Sequence, residues 1–260
     1  MRSPAVFLTL IVLLVSCEYN DIHRTDNTPV KRESVYYNET GEKISEKLFD
    51  YDDQNRVLRE VTNLIDPQYT DSEILYHYDS DGHLVKKEEG WSGNYYTTEF
   101  TYKNGLIDRS VASSADNMYV NRTRYFYSSN LLDSTYTESY YNNGTISENS
   151  WTVRYQYDEQ GRLIKTGGQE FEYDSRGKVA WTCFGEGGPN VAGMCYTNEF
   201  NEYDQLVKTF LVIPGSSAPS TYLQEEYFYK DGRLDEKRMY NWFYTRTPNP
   251  PDINVIKYEY

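Results

Sequence analysis

Three histidines, forty carboxylates and three cysteines are the groups of this chain that could do chemistry. Their spacing argues against catalysis. His77 sits between Tyr76 and Tyr78, so on a strand it faces away from both rings, and neither it nor His83 has a nucleophile beside it. His23 stands alone near the start. A triad needs its base within about 3 Å of the nucleophile, and no local grouping supplies that. The neighbouring acids Glu88-Glu89 and Glu225-Glu226 point to opposite faces of a strand. A glycoside hydrolase would need two carboxylates meeting across a cleft, which only a chance approach among forty acids could provide. Asp79-Ser-Asp-Gly82 opens like a calcium loop but lacks the third acid and the distal glutamate, so it reads as a turn. Gly185-Glu-Gly-Gly-Pro189 has no Lys-Ser/Thr and no helix after it, so it cradles no phosphate. The chain is read as not an enzyme, without metal or cofactor.

Two other sets of residues invite a role. Cys183 and Cys195 flank Pro189 almost symmetrically. If residues 181–184 and 194–197 pair as strands, the two sulfurs face each other, and a disulfide there is worth about 3 kcal/mol in the chain-entropy model. Two reduced thiols are the other state. Of the four tryptophans, Trp91 and Trp242 lie near turns, where a ring is free to stack on a sugar or peptide. Filling the sheet surface is their plainer use.

The start of the chain has a chemistry of its own. Met1-Arg2 is short and basic, residues 5–15 are an almost purely apolar run, and Leu14-Val-Ser-Cys17 follows. The run suits a secretory signal and is too short for a bilayer core, which takes roughly 20 residues. Leu-Val-Ser-Cys resembles the lipobox of bacterial lipoproteins. The resemblance implies a signal peptide over 1–16, cleavage before Cys17, and acylation of its thiol and new amine. Lipid chains contribute about 0.8 kcal/mol per buried methylene, so two or three hold a protein to a membrane almost irreversibly. Residues 17–30 then form a polar tether and 31–260 the folded domain. The implied location is the bacterial cell envelope, at the outer membrane, with the facing side open. Asp133-Ser-Thr135 also resembles a bacterial O-glycosylation acceptor.

Composition limits the partners. The formal charge is −14, and loss of Arg2 with the signal takes it to −15, which repels nucleic acid and anionic headgroups. Twenty-eight tyrosines fit a half-wet sheet, whose rings pack while their hydroxyls meet polar groups.

A repeat supplies that sheet. Tyr76-His-Tyr-Asp-Ser-Asp-Gly-His-Leu84, Tyr155-Gln-Tyr-Asp-Glu-Gln-Gly-Arg-Leu163 and Phe171-Glu-Tyr-Asp-Ser-Arg-Gly-Lys-Val179 share one pattern. Looser copies bring the anchors to Tyr37, Tyr51, Tyr78, Tyr102, Tyr127, Tyr157, Tyr173, Phe200 and Tyr229, with a tenth beginning at Tyr260. Tyr-x-Tyr puts two rings on one strand face, Asp opens a turn, Gly or Asn supplies a positive φ, and Arg-Leu starts the return strand. Each copy is a hairpin tip. Asn142-Asn-Gly144, Gly167-Gly168, Ser92-Gly93 and Pro214 to Ser220 read as turns at the far ends. No sustained 3.6-residue stripe appears, so helix is scarce.

The pattern resembles the YD (RHS-type) repeat family, best at Tyr157-Asp158 with Gly161-Arg162-Leu163 and at Tyr173-Asp174 with Gly177. Large members wind their repeats into a spiralling antiparallel sheet that can close into a shell. Asn55, Asn130 and Asp204 here replace the turn glycine, and no self-cleavage motif or toxin tail is seen. The expectation is an all-β, repetitive antiparallel β-meander of some eighteen to twenty short strands forming a curled or spiral sheet. Its terminal strands would be open edges, guarded by Pro248, Pro250 and Pro251. The expected role is non-catalytic binding or scaffolding of a protein or glycan. A carbohydrate-binding lipoprotein is the alternative, and a glycoside hydrolase ranks below both.

Overall fold

The structure, a computed structural model, describes residues 28–37, 41–66, 70–91, 94–115, 119–141, 150–185, 193–213, 220–241 and 252–260. They form eighteen strands and no helix. The first nine are β1 (Arg32–Tyr37), β2 (Glu42–Tyr51), β3 (Val57–Leu64), β4 (Ser72–Tyr78), β5 (Leu84–Trp91), β6 (Asn94–Lys103), β7 (Leu106–Ser114), β8 (Tyr119–Ser128) and β9 (Leu131–Tyr141). The rest are β10 (Trp151–Tyr157), β11 (Leu163–Thr166), β12 (Gln169–Tyr173), β13 (Val179–Phe184), β14 (Met194–Phe200), β15 (Leu206–Ile213), β16 (Ser220–Lys230), β17 (Arg233–Asn241) and β18 (Asp252–Glu259).

Every strand pairs antiparallel with its sequence neighbours, and β1 also pairs with β18, from Arg32 opposite Glu259 to Tyr37 opposite Asn254. The sheet is therefore a closed barrel, which corrects the expected curled or spiral open sheet. An even number of meandering strands brings the first and last together antiparallel, and closure removes both edges. The three prolines expected to guard an edge lie outside the described residues.

The tips fold as local chemistry dictates. Five of them, at 52–56, 79–83, 158–162, 174–178 and 201–205, use one five-residue turn. In each, the first residue's N–H donates to the fifth residue's carbonyl, as in Asp158 to Arg162 at 2.9 Å. The opening carboxylate or amide braces the loop: Asp158 Oδ1 accepts from the N–H groups of Gln160 and Arg162, and Asn201 Oδ1 from those of Tyr203 and Gln205. Asn55 and Asp204 stand where other tips have glycine, at φ 60° each. Three shorter tips, Asn104-Gly105, Ser129-Asn130 and Asp231-Gly232, hold both residues at positive φ, as a type I′ turn requires. A bulge follows each of these eight tips, as where Tyr78 meets Leu84 but His77 meets Lys86.

These eight tips form one rim, and the strand ends away from them form the other, the loop rim. Tyr37 is on the loop rim, because residues 38–41 join β1 to β2 at the far end from Tyr51. The ninth hairpin is made by the two termini, β18 ending at the tip rim where β1 begins. Lys31 N–H donates to the Glu259 carbonyl there at 2.6 Å.

Candidate functional site

The anchor rings tie each hairpin to the one before it. Tyr78 donates its hydroxyl to the carbonyl of Val57, Tyr102 to Leu84, Tyr157 to Leu132, Tyr173 to Leu163, Tyr229 to Leu206 and Tyr260 to Leu234, all at 2.8–3.0 Å. Tyr127 bonds the backbone of Ile107. Phe200 has no hydroxyl, and the Asn198 amide takes its place on Val179 O at 2.9 Å. Tyr51 closes the circle on Val30 O at 2.7 Å, so β1 stands in for the return strand that Tyr260 would otherwise precede. Tip cations lie over the next anchor ring: Arg56 over Tyr78, Arg162 over Tyr173 and Arg233 over Tyr260, 4.5–5.3 Å from the centroids. His83 stacks on Tyr102 at 4.6 Å in the same position. The Tyr-Asp-x-x-Gly-Arg pattern is thus a connector. Tyrosine reaches back, aspartate shapes the turn and arginine reaches forward.

The tip carboxylates are committed to this work. Backbone bonding from His83 leads the groups that hold Asp79 below the ordinary carboxylate range. At Asp52, Asp158 and Asp174, burial is the largest single influence and pulls upward, but hydrogen bonds from backbone and arginine together outweigh it. Asp79, Asp81 and His83 bring three possible ligand atoms within 4.8 Å. Yet Asp79 Oδ1 accepts from the N–H groups of Asp81 and His83, the same bonds that shape the other five-residue tips. The cluster is turn chemistry.

The two faces of the barrel differ. Side chains on a concave wall converge and lose exposure, and the anchor face is the one where Thr98, Thr135, Tyr155, Thr182, Leu211 and Leu234 are buried. It is the inner face. Between its tyrosines sit the ion pairs Lys47–Glu60, Lys87–Glu89 and Lys237–Glu225, at 2.7–3.4 Å. Burial first, then the Glu60 carboxylate, raises the Tyr76 hydroxyl, and Tyr227 and Tyr258 rise by burial and the charges of Glu225 and Glu33. The outer face carries ion pairs between strands, among them Arg59–Glu73, Lys165–Glu170 and Lys208–Glu226, and along single strands, as in Lys86–Glu88 and Arg238–Glu236.

The residues singled out in the sequence are dispersed over this frame. His77 is on the outer face with Glu88, 2.8 Å away, and His83 is in its tip with Asp79. Cys183 and Cys195 are directly opposite in the β13–β14 register and form a disulfide, with Cα atoms 4.0 Å apart. Trp91 is exposed on the inner face at the loop rim, stacked on Tyr96 at 5.6 Å. Trp242 and Cys17 lie outside the described residues. Thr135, the end of the glycosylation-like triplet, is buried on the inner wall. Sequence reasoning missed Tyr96, Tyr119, Tyr141 and Phe184, exposed aromatics that share the loop rim with Trp91. Tyr96 and Tyr119 lie six and eight positions before the anchors Tyr102 and Tyr127, so their face was legible, whereas the bulge after each tip shifts the parity that would have placed Tyr141 and Phe184.

No protein-family model matches this sequence, and no curated protein matches it. Among solved structures it is similar to the Tc holotoxin pore of Photorhabdus luminescens, at 11% identity and TM-score 0.41 over 86% of this chain and 13% of that one. A porin-like protein from Bacteroides uniformis is similar at 11% identity and TM-score 0.38, over 89% of this chain and 98% of that one. TcdB2–TccC3 without its hypervariable C-terminal region is similar at 14% identity and TM-score 0.30, over 80% and 15%. This chain spans about an eighth of the length of the toxin pore chain it resembles.

Proposed function

We propose that this chain is a lipid-anchored protein of the bacterial envelope whose barrel stands in water as a non-catalytic binding or scaffolding module, built of YD-like repeats. The observation that carries the reading is the charged outer face. A membrane barrel presents an apolar band about 25 Å tall to lipid, on strands of about 9–11 residues. Here the outer face carries ion pairs on β3–β5, β11–β12 and β15–β17, and β11 and β12 have only four and five residues. Attachment then falls to Cys17. Ten residues, 18–27, separate it from the described domain and reach at most about 35 Å extended. The chain enters the barrel at the tip rim, where Arg233 also donates to Thr28. The tips thus face the bilayer and the loop rim faces away.

Labelled palmitate tests the anchor. The full chain expressed in a Gram-negative host incorporates label and sediments with membranes, and Cys17→Ser abolishes the label. A chain whose residues 1–17 are replaced by an ordinary cleavable secretion signal should be released, and one that still resists extraction from the membrane at alkaline pH would overturn the reading, since the barrel itself would be holding it there.

A further inference from the structure

We infer that the loop rim of the barrel is a binding site for neutral oligosaccharides, formed by three pairs of aromatic rings on the inner wall. The inference gives a ligand class to the binding role proposed above. Trp91 stacks on Tyr96 across β5 and β6, Tyr119 meets Tyr141 at 5.4 Å across β8 and β9, and Phe184 meets Tyr196 edge-on at 5.9 Å across β13 and β14. Five of these six rings keep 43–49% of their surface exposed, although Thr98, Thr135, Thr137 and Thr182 on the inner wall below them are buried. Each pair stands at the end of its strands away from the tips, so the three pairs line one mouth.

The wall around them sets the class. On the inner face of β5–β14 above the tips, Lys87 and Glu89 neutralise each other at 3.0 Å, and Asp133, at the β9 bulge, adds a negative charge that acts on Tyr157. Hydroxyls and amides fill the other polar positions, including Ser110, Thr123, Thr137 and the Asn121–Ser139 pair. Rings with free faces beside neutral hydrogen-bonding groups match the alternating apolar and hydroxylated faces of a sugar ring. Among the described residues this sector holds no guanidinium or ammonium cluster, which a sulfated or uronic polymer would need, and the net charge of −14 repels such polymers at a distance. The Cys183–Cys195 disulfide lies one residue from both Phe184 and Met194, fixing one side of the mouth before a ligand arrives.

Calorimetric titration of the purified full chain tests this with neutral β-glucan, xylan and mannan hexasaccharides, and polygalacturonate fragments as the charged control. Saturable binding of at least one neutral hexasaccharide is expected, with none of the control. Trp91→Ala and the pair Tyr119→Ala with Tyr141→Ala should each weaken it about tenfold or more, while circular dichroism and melting temperature hold. Tryptophan fluorescence should move on binding in the parent and less in Trp91→Ala. Failure of every neutral sugar to bind overturns the inference, as does binding that survives both sets of substitutions. Capture of aromatic-rich peptides in place of sugars would also overturn it. Cleavage of the bound hexasaccharide would leave this site standing and end the non-catalytic reading instead.

Discussion

Tyr173→Phe isolates the bond that links one hairpin to the next. The substitution keeps the ring beneath Arg162, 4.5 Å from its centroid, and removes the donor to Leu163 O at 2.8 Å. A net hydrogen bond contributes about 0.5–1.5 kcal/mol, and leaving a half-buried carbonyl unpaired puts the cost toward the upper end. Truncating the whole ring by Tyr173→Ala adds lost packing, for about 3–5 kcal/mol in total. In a domain of this size about 1 kcal/mol is worth roughly 2–4 °C of melting temperature. Tyr173→Phe should therefore lower the thermal midpoint by about 3–6 °C, and Tyr173→Ala by roughly two to three times as much. Thermal unfolding followed by far-ultraviolet circular dichroism reads both shifts, and urea unfolding reads the free energies, with the m-value as a check that cooperativity is kept. Phe200 is the internal control, since Asn198 already serves Val179 O. Asn198→Ala should be destabilising, and Phe200→Tyr in that background should recover part of the loss. If Tyr173→Phe costs nothing measurable, or Phe200→Tyr rescues nothing, the hydroxyl ring does not hold the hairpins in register and the argument fails.

Further outcomes follow from the same contacts. Reducing the Cys183–Cys195 bond, which spans twelve residues, should cost about 3 kcal/mol in the chain-entropy model, read as a shift of the urea midpoint with reductant. Asp52, Asp79, Asp158 and Asp174 are held below their ordinary range when folded, so their contribution is present above about pH 4 and lost as pH falls through the folded values. Replacing Asp52, Asp158 and Asp174 with Asn should flatten the acid limb of a stability–pH curve. Tyr76, Tyr227 and Tyr258 are raised when folded, so the unfolded chain ionises first and stability should fall as pH climbs above about 10. Absorbance of tyrosinate against pH would show these hydroxyls titrating only with unfolding. Finally, joining Tyr260 to Thr28 through an Asp-Ser-Asp-Gly turn and opening the chain at Asn104-Gly105 should give a folded permutant with the parent's circular dichroism, because the seam already pairs as the other hairpins do. A permutant that does not fold would refute the equivalence of the ninth hairpin.

The tips were legible in the order of residues alone. Asp158 meets groups two and four residues away, and the positive φ at Gly161, Asn55 or Asp204 concerns one residue alone, so residue type and short spacing carry that information. The opposition of Cys183 and Cys195 was legible there too, because a hairpin between symmetric strands sets its own register. Closure of the sheet was not legible there and emerges from the pairing of β1 with β18. Closure sums a small rotation over nine hairpins, and no local pattern records whether the sum makes a full turn. The destination of each anchor hydroxyl was equally hidden, since its acceptor is a backbone carbonyl 10 to 26 residues away, which every residue type offers. Tyr37 shows the same limit. It bears the repeat's letters, yet the direction of its strand puts it on the opposite rim. Which face is lumen and which is solvent waited on closure too, because alternation assigns side chains to two faces and only curvature says which of them is inside.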